Sequence, residues 1–121
     1  MPVCLVVDDS GVIRHVVRRM MEGLGFEVEE AADGQIALDI CIDALPDVVI
    51  LDWNMPNMDG ITFLAELRKL PLAEFVKVIF CTTETEMGFV SKAIAAGADE
   101  YVMKPFDQKT LEHKLGEVGL L

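Results

Sequence analysis

Five short runs rich in β-branched and aliphatic residues punctuate the chain: Val3 to Val7, Glu27 to Ala31, Val48 to Leu51, Val76 to Cys81, and Glu100 to Met103. Between them the apolar spacing changes to the period of a helix. In the first interval Ile13, Val16, Val17, Met20, Met21 and Leu24 share one helical face, while Arg14, Arg18, Arg19 and Glu22 fall elsewhere. Gly25 stands where a left-handed cap would close that helix. The pattern repeats with Ala37, Ile40, Cys41 and Ala44, then with Phe63, Leu64 and Leu67, and again with Val90, Ala93 and Ile94 before Gly97. Asp107 is placed to cap a last helix carrying Leu111, Leu115 and Val118. Strands alternating with helices imply parallel strands joined by right-handed crossovers, and nearly continuous apolar strands need helices on both faces. The predicted fold is α/β, a doubly wound five-stranded parallel sheet of (βα)5 type.

Length and charge narrow the functions open to such a fold. A chain of 121 residues suits one core and is read as a single domain, 1–121. Although 52% of its residues are hydrophobic, its apolar runs are only of strand length, so membrane insertion and a secretory leader are not expected and a cytoplasmic location is. Cys4, Cys41 and Cys81 are odd in number and sit in apolar runs without metal-like pairing, which predicts buried, reduced thiols. Ten basic against twenty-one acidic residues give a formal charge of -11, which repels nucleic acid and anionic lipid.

In open parallel sheets ligands bind beyond the carboxyl ends of the strands, so those ends are read together. The first strand ends in Asp8 and Asp9, the third in Asp52, the fourth in Thr82 and Thr83, the fifth in Lys104 and Pro105. By analogy with flavodoxin-like sheets, the strand order 2-1-3-4-5 makes the first and third strands neighbours and gathers three carboxylates on one rim. Carboxylates about 4 Å apart repel by about 4 kcal/mol per pair at an effective dielectric near 20, so the cluster needs either a proton or a cation. An all-oxygen site with room for water and phosphate suits Mg²⁺, which would cancel the net charge left by the three acids and Lys104. Asp52, the lone acid on the central strand, is then the candidate nucleophile for a phosphoryl group. Lys104 would hold one phosphoryl oxygen and the Thr82 hydroxyl would donate to another.

Each of these residues alone has a plainer reading. Asp9, Ser10 and Gly11 would simply start the first helix, Lys104-Pro105 would be a turn, and Gly60 would supply a positive φ after Asp59. Gly23-Leu24-Gly25 follows a helix rather than a strand and lacks a third glycine, so it is no dinucleotide fingerprint, and no Walker A pattern occurs. Asp52 to Gly60 departs from a calcium loop at Pro56. His15 and His113 fall off the apolar stripes and read as surface residues, and Trp53 reads as loop packing whose fluorescence would report events at Asp52. Arg14 and Arg18, four apart, share an exposed helical face. A solvated face is their default reading, and docking of an acidic helical partner such as a histidine phosphotransfer domain is the sharper one.

Asp8-Asp9, DWNMPNMDG at 52–60, Thr82 and YVMKPF at 101–106 resemble, in order and spacing, the receiver domain of two-component response regulators, most closely its single-domain chemotaxis members. The resemblance implies that Asp52 is the phosphorylation site and that Asp8, Asp9, Asp52 and the backbone carbonyl of Asn54 hold Mg²⁺. It further implies that Lys104 and Thr82 contact the phosphoryl group, that Tyr101 swings inward when Thr82 moves, and that the Lys104-Pro105 bond is cis. The donor would be a sensor histidine kinase or a histidine phosphotransfer protein, and a downstream protein would read the surface around Tyr101 and the last two helices of a monomer. Three features depart from the pattern: Thr83 where the family prefers a small residue, Glu86 and Met87 at the start of the fourth helix where the chemotaxis members are basic, and Gly116 and Gly119 near the end of the last helix. A phosphorelay shuttle and a phosphate sink share all these residues. A phosphatase with an aspartyl nucleophile would open a DxD motif on the first strand, and a flavodoxin-like electron carrier would not place an acidic pair after it.

Overall fold

A computed structural model describes residues 1–121. The elements run β1 (Val3–Val7), α1 (Gly11–Gly23), β2 (Glu27–Ala31), α2 (Gly34–Asp43), β3 (Val48–Asp52), α3 (Gly60–Leu67), β4 (Lys77–Thr82), α4 (Val90–Ala96), β5 (Glu100–Met103) and α5 (Gln108–Glu117). Two 3-10 turns, Ala73–Phe75 and Glu84–Phe89, precede β4 and α4. All strands pair in parallel in the order β2-β1-β3-β4-β5, so the expected doubly wound, flavodoxin-like sheet is the observed one.

Strand alternation divides the core in two. Leu5, Val7, Val49, Leu51, Val78 and Phe80 face α2, α3 and α4, whose Ala37, Cys41, Phe63, Leu64, Leu67 and Ala93 close over them. Cys4, Val6, Val48, Ile50, Ile79 and Cys81 face the other way, toward Val17 and Met21 of α1 and Leu111 and Leu115 of α5. Each such Leu, Phe or Met contributes about 1.5 to 3 kcal/mol by leaving water, so the central strands are anchored on both faces. The edge strand β2 instead exposes Glu27 and Glu29, charges that discourage a further strand from pairing there.

Helix starts follow the cap residues. Ser10, Asp33, Asp59 and Asp107 each accept a hydrogen bond from the backbone N–H three residues on, at 3.3, 2.8, 2.8 and 2.8 Å. Gly25 lies just past α1 with φ 96°, the left-handed position expected of it. The last helix spans 10 residues and ends before Gly119, whose φ is 86°. All three cysteines are buried free thiols, and burial pushes those of Cys41 and Cys81 up to about 12. No helix is long and apolar enough to cross a membrane.

Several expectations are corrected. β3 and β4 run one residue further than the apolar runs suggest, so Asp52 and Thr82 belong to the strands themselves, held by ladder geometry rather than by loops. Glu86 and Met87 lie in the 3-10 turn, not at the start of α4. Ile94 of the predicted apolar stripe of α4 is 45% exposed, because a seven-residue helix covers the sheet with Ala93 alone. Gly60 has no positive φ; a Cβ there would collide with the Asp52 carbonyl oxygen, so glycine is needed for close approach. The positive φ in that loop falls on Asn57, at 65°. Arg14 and Arg18 are half-buried rather than exposed, paired with Glu30 of β2 and, for Arg18, Glu22 of α1.

Candidate acidic site at the strand ends

The sheet order brings β1 and β3 together, with Val7 paired to Leu51, so Asp8 and Asp52 emerge side by side. Carboxylate oxygens of Asp8, Asp9 and Asp52 lie within 4.8 Å of one another. Lys104 reaches across from the end of β5 and places its Nζ 3.1 Å from Asp8 Oδ2 and 3.0 Å from Asp52 Oδ1. Asp9 is exposed and takes no share of that ammonium. Three carboxylates against one lysine leave a net charge of -2 when all are ionised.

Local hydrogen bonds hold the acids in place. Asp8 Oδ1 accepts from Ser10 N at 2.9 Å, which turns the chain from β1 into α1 and leaves Oδ2 facing Lys104. The Asp8 carbonyl accepts from Arg14 Nη1 at 2.7 Å. Beyond Asp52 the chain folds back so that Gly60 N donates to Trp53 O at 2.9 Å, while Gly34 N donates to Met58 O at 3.0 Å. A side chain at Gly34 would meet that Met58 oxygen at 2.5 Å, so two glycines allow the loop after β3 to close tightly under the acids. Asn54 is exposed in this loop.

Electrostatics set the acids apart from the lysine. Burial pushes the Asp52 carboxyl above its ordinary value, with Asp8 adding to the rise and Lys104 opposing it. Burial would lower Lys104, but the Asp52 and Asp8 charges outweigh it and raise the ammonium well above its usual range. Surplus negative charge beside a fully charged lysine suits a hard divalent cation held by oxygen donors, and Asp8, Asp9 and Asp52 are placed to offer them.

The remaining predicted residues are arranged around this cluster. Thr82, fully buried, ends β4 one step past Cys81, which pairs with Asp52; its hydroxyl donates to the Thr83 carbonyl at 3.2 Å. Tyr101 lies on β5, half-buried, with Lys114 Nζ 4.8 Å from its ring centroid. The Lys104-Pro105 bond is cis. Arg14 and Arg18 do not form a free basic stripe. Arg14 Nε meets Glu30 at 3.1 Å, and Arg18 meets Glu30 at 2.7 Å, Glu22 at 3.3 Å and the Val28 carbonyl at 3.1 Å. Glu22 stands four residues from Arg18 and is legible as a helical pair, whereas Glu30 comes from β2 and carries no local signal. His15 is exposed, and His113, 75% exposed at its side chain, meets Glu117 at 2.8 Å.

Sequence reasoning missed three contacts. Trp53 stacks on Phe89 with ring centroids 4.3 Å apart and planes at 20°, and meets Phe80 edge-on at 5.7 Å. Glu86 bonds Thr83 within the turn after β4, a pairing that the spacing of a threonine and a glutamate three residues on could have suggested. Nothing local marks Phe89, which comes from a different crossover.

The family described as response regulator receiver domain matches residues 4–116. Chemotaxis protein CheY-3 of Vibrio cholerae serotype O1 is 36% identical over 115 residues, covering 94% of this chain and 88% of that protein. Chemotaxis protein CheY of Pseudomonas aeruginosa is 33% identical over 115 residues, covering 94% of this chain and 93% of that one. Among solved structures, chemotaxis protein CheY4 of Vibrio cholerae superposes with a TM-score of 0.90 at 39% identity, covering 98% of both chains. The fold, the matched family and these relatives agree: this chain belongs to the receiver domains of response regulators and is CheY-like.

Proposed function

We propose that this protein is a stand-alone response regulator that accepts a phosphoryl group on Asp52. The observation that carries this reading is the shared ammonium of Lys104, 3.0 Å from Asp52 and 3.1 Å from Asp8, in a cluster that still has acid to spare. In the transfer an Asp52 carboxylate oxygen forms the new O–P bond as the P–N bond of a phosphohistidine breaks, and the departing imidazole nitrogen takes up a proton. Lys104 balances charge on a phosphoryl oxygen, and Thr82 donates to another once its hydroxyl leaves the Thr83 carbonyl. Mg²⁺, held by Asp8, Asp9, Asp52 and the Asn54 carbonyl, would neutralise the acids and let an anionic donor approach. The signal ends when water attacks the phosphorus of the acyl phosphate: a new O–P bond forms, the bond to the Asp52 oxygen breaks, and inorganic phosphate leaves the restored carboxylate. The protein is thus a switch whose turnover is self-catalysed, not a metabolic enzyme.

The donor, a sensor histidine kinase or histidine phosphotransfer protein, is proposed to lie on the apolar flank of α1 rather than on Arg14 and Arg18, whose guanidiniums are engaged within the chain. A groove of about 380 Å³ runs between Ile13, Val16 and Met20 and the Pro105-Phe106 segment, and Lys104 lines both groove and acidic site. The downstream protein is proposed to read the surface around Tyr101. A monomer in the cytoplasm, with output to motility, is the reading favoured by relatives of similar length named as chemotaxis proteins. The test is exposure to Mg²⁺ and acetyl phosphate with mass spectrometry of the adduct. Labelling at Asp52 that disappears in Asp52→Asn and under chelation is expected; labelling that survives the substitution refutes the assignment. Val16→Asp is expected to slow transfer from the protein donor while sparing acetyl phosphate.

A further inference from the structure

Thr82 stands at the hinge of the proposed switch, yet its hydroxyl is turned away, donating to the carbonyl of the next residue at 3.2 Å. Its own backbone is fixed on the strand side: Thr82 O accepts from Lys104 N at 2.6 Å. A side chain with no exposed surface cannot rotate inside a close-packed interior unless a neighbour yields. With β4 and β5 tied together, the part able to yield is the turn that follows Thr82.

That turn is closed by a ring of hydrogen bonds between two residues. Glu86 N donates to Thr83 O at 3.0 Å, Thr83 N donates to Glu86 Oε1 at 3.2 Å, and Thr83 Oγ1 donates to the same Oε1 at 3.0 Å. One carboxylate oxygen therefore holds both donors of Thr83, and the carbonyl it immobilises is the one that receives the Thr82 hydroxyl. The far end of the same turn is pinned by the Phe89 ring on Trp53, the residue after Asp52.

We propose that Glu86 is a positioning residue that latches the Thr83 turn and so holds Thr82 in its withdrawn state, setting the fraction of molecules ready to engage a phosphoryl group. This inference rests on the role proposed for Thr82 and adds a residue that acts only through it. Loss of a latch with the strength of an ordinary N-terminal cap changes such a fraction about fivefold. Because the apparent affinity of the protein is the intrinsic affinity of the ready state multiplied by its population, the latch is read as an apparent affinity.

The probe is beryllofluoride with excess Mg²⁺, a stable stand-in for the phosphoryl group, titrated against the fluorescence of Trp53, the chain's one tryptophan. Glu86→Ala is expected to lower the half-saturating concentration about fivefold. Glu86→Gln, whose amide oxygen still accepts both Thr83 donors, is expected to restore the original value although it removes the same negative charge. Thr83→Ala, which loses one of the donors, falls between. Equal half-saturation in wild type and Glu86→Ala overturns the latch, and so does an equal shift in Glu86→Ala and Glu86→Gln, which would make the effect one of charge. The acetyl phosphate adduct at Asp52 is measured in parallel: its presence with no effect of Glu86 sinks the latch alone, whereas its absence sinks the underlying function.

Discussion

The two rims of the sheet each carry a basic residue among oxygen acceptors, and they use it in opposite ways. At the carboxyl ends Lys104 serves Asp8 and Asp52 as a single point charge and leaves Asp9 unmatched. At the other rim Arg68, the cap of α3, spends its planar fork completely: it donates to the carbonyls of Ala73 and Val76 at 2.6 and 2.7 Å, to Gly97 O from Nε and Nη2 at 3.2 and 2.6 Å, and to Asp99 at 3.0 Å. Asp99 in turn accepts from Val78 N at 2.8 Å. A closed set of bonds ties the turns before β4 and β5 into one piece, whereas an open set stores unbalanced charge. The unbalanced rim is the one with oxygen donors left over for a cation.

The contrast is broken most strongly by exchanging its two basic residues for neutral ones. Lys104→Met is expected to slow adduct formation at Asp52 on the order of 10²-fold, as removal of one preorganised charge does elsewhere, measured with acetyl phosphate in Mg²⁺. Arg68→Ala should leave that rate unchanged but cost about 3 kcal/mol in urea unfolding, because several buried carbonyls lose charged donors together. Mg²⁺ should recover the stability lost in Lys104→Met and none of that lost in Arg68→Ala; recovery in both would mean that the two rims do not differ in kind.

A smaller effect sharpens the same point. Burial raises the Asp52 carboxyl, so its neutral form is favoured by folding: the stability it contributes is full below the ordinary carboxylate range, near 3.9, and is lost as pH rises through the raised native value. Asp52→Asn is therefore expected to be more stable than wild type at pH 7 without Mg²⁺, with the advantage vanishing in acid. Denaturant midpoints across pH check this. Equal midpoints at pH 7 would show that Lys104 already balances the site.

The smallest expected effect lies between the rims. The Arg18 hydrogen bond foremost, with Arg14 behind it and burial opposing, holds the Glu30 carboxyl below its usual value. The stability from this depressed group is present above the unfolded value of about 4.3 and is lost as pH falls through the native one. Glu30→Gln should cost less than about 1 kcal/mol at pH 7 and nothing near pH 2, because the pairs are partly solvated.

Much of this architecture was legible from the chain. Apolar runs such as Val48 to Leu51 and helical stripes such as Phe63, Leu64 and Leu67 fix which residues must be buried, and the acids and lysine at the run ends fall together once the strands are parallel. The cap Asp107 and the left-handed Gly25 are equally local, whereas Asp59 caps α3 where the sequence suggested only a turn. Other residues misled. Arg14 and Arg18 look free because their helix places them off its apolar stripe, but β2 lies beside α1 and supplies Glu30. Gly60 looks like a turn glycine because nothing local reveals that the Asp52 carbonyl presses on it.

The sequence by itself determined the order of strands and helices, the buried faces and the ends at which polar side chains emerge, because period and capping are properties of neighbours along the chain. Only the tertiary structure decided which groups are balanced and which are left with surplus charge. Arg68 finds its acceptors at Gly97 and Asp99, and Trp53 finds Phe89, each across a stretch of chain that only folding closes. Hydrogen bonds and Coulomb energy depend on separation in space, and folding sets that separation for residues that the sequence keeps far apart.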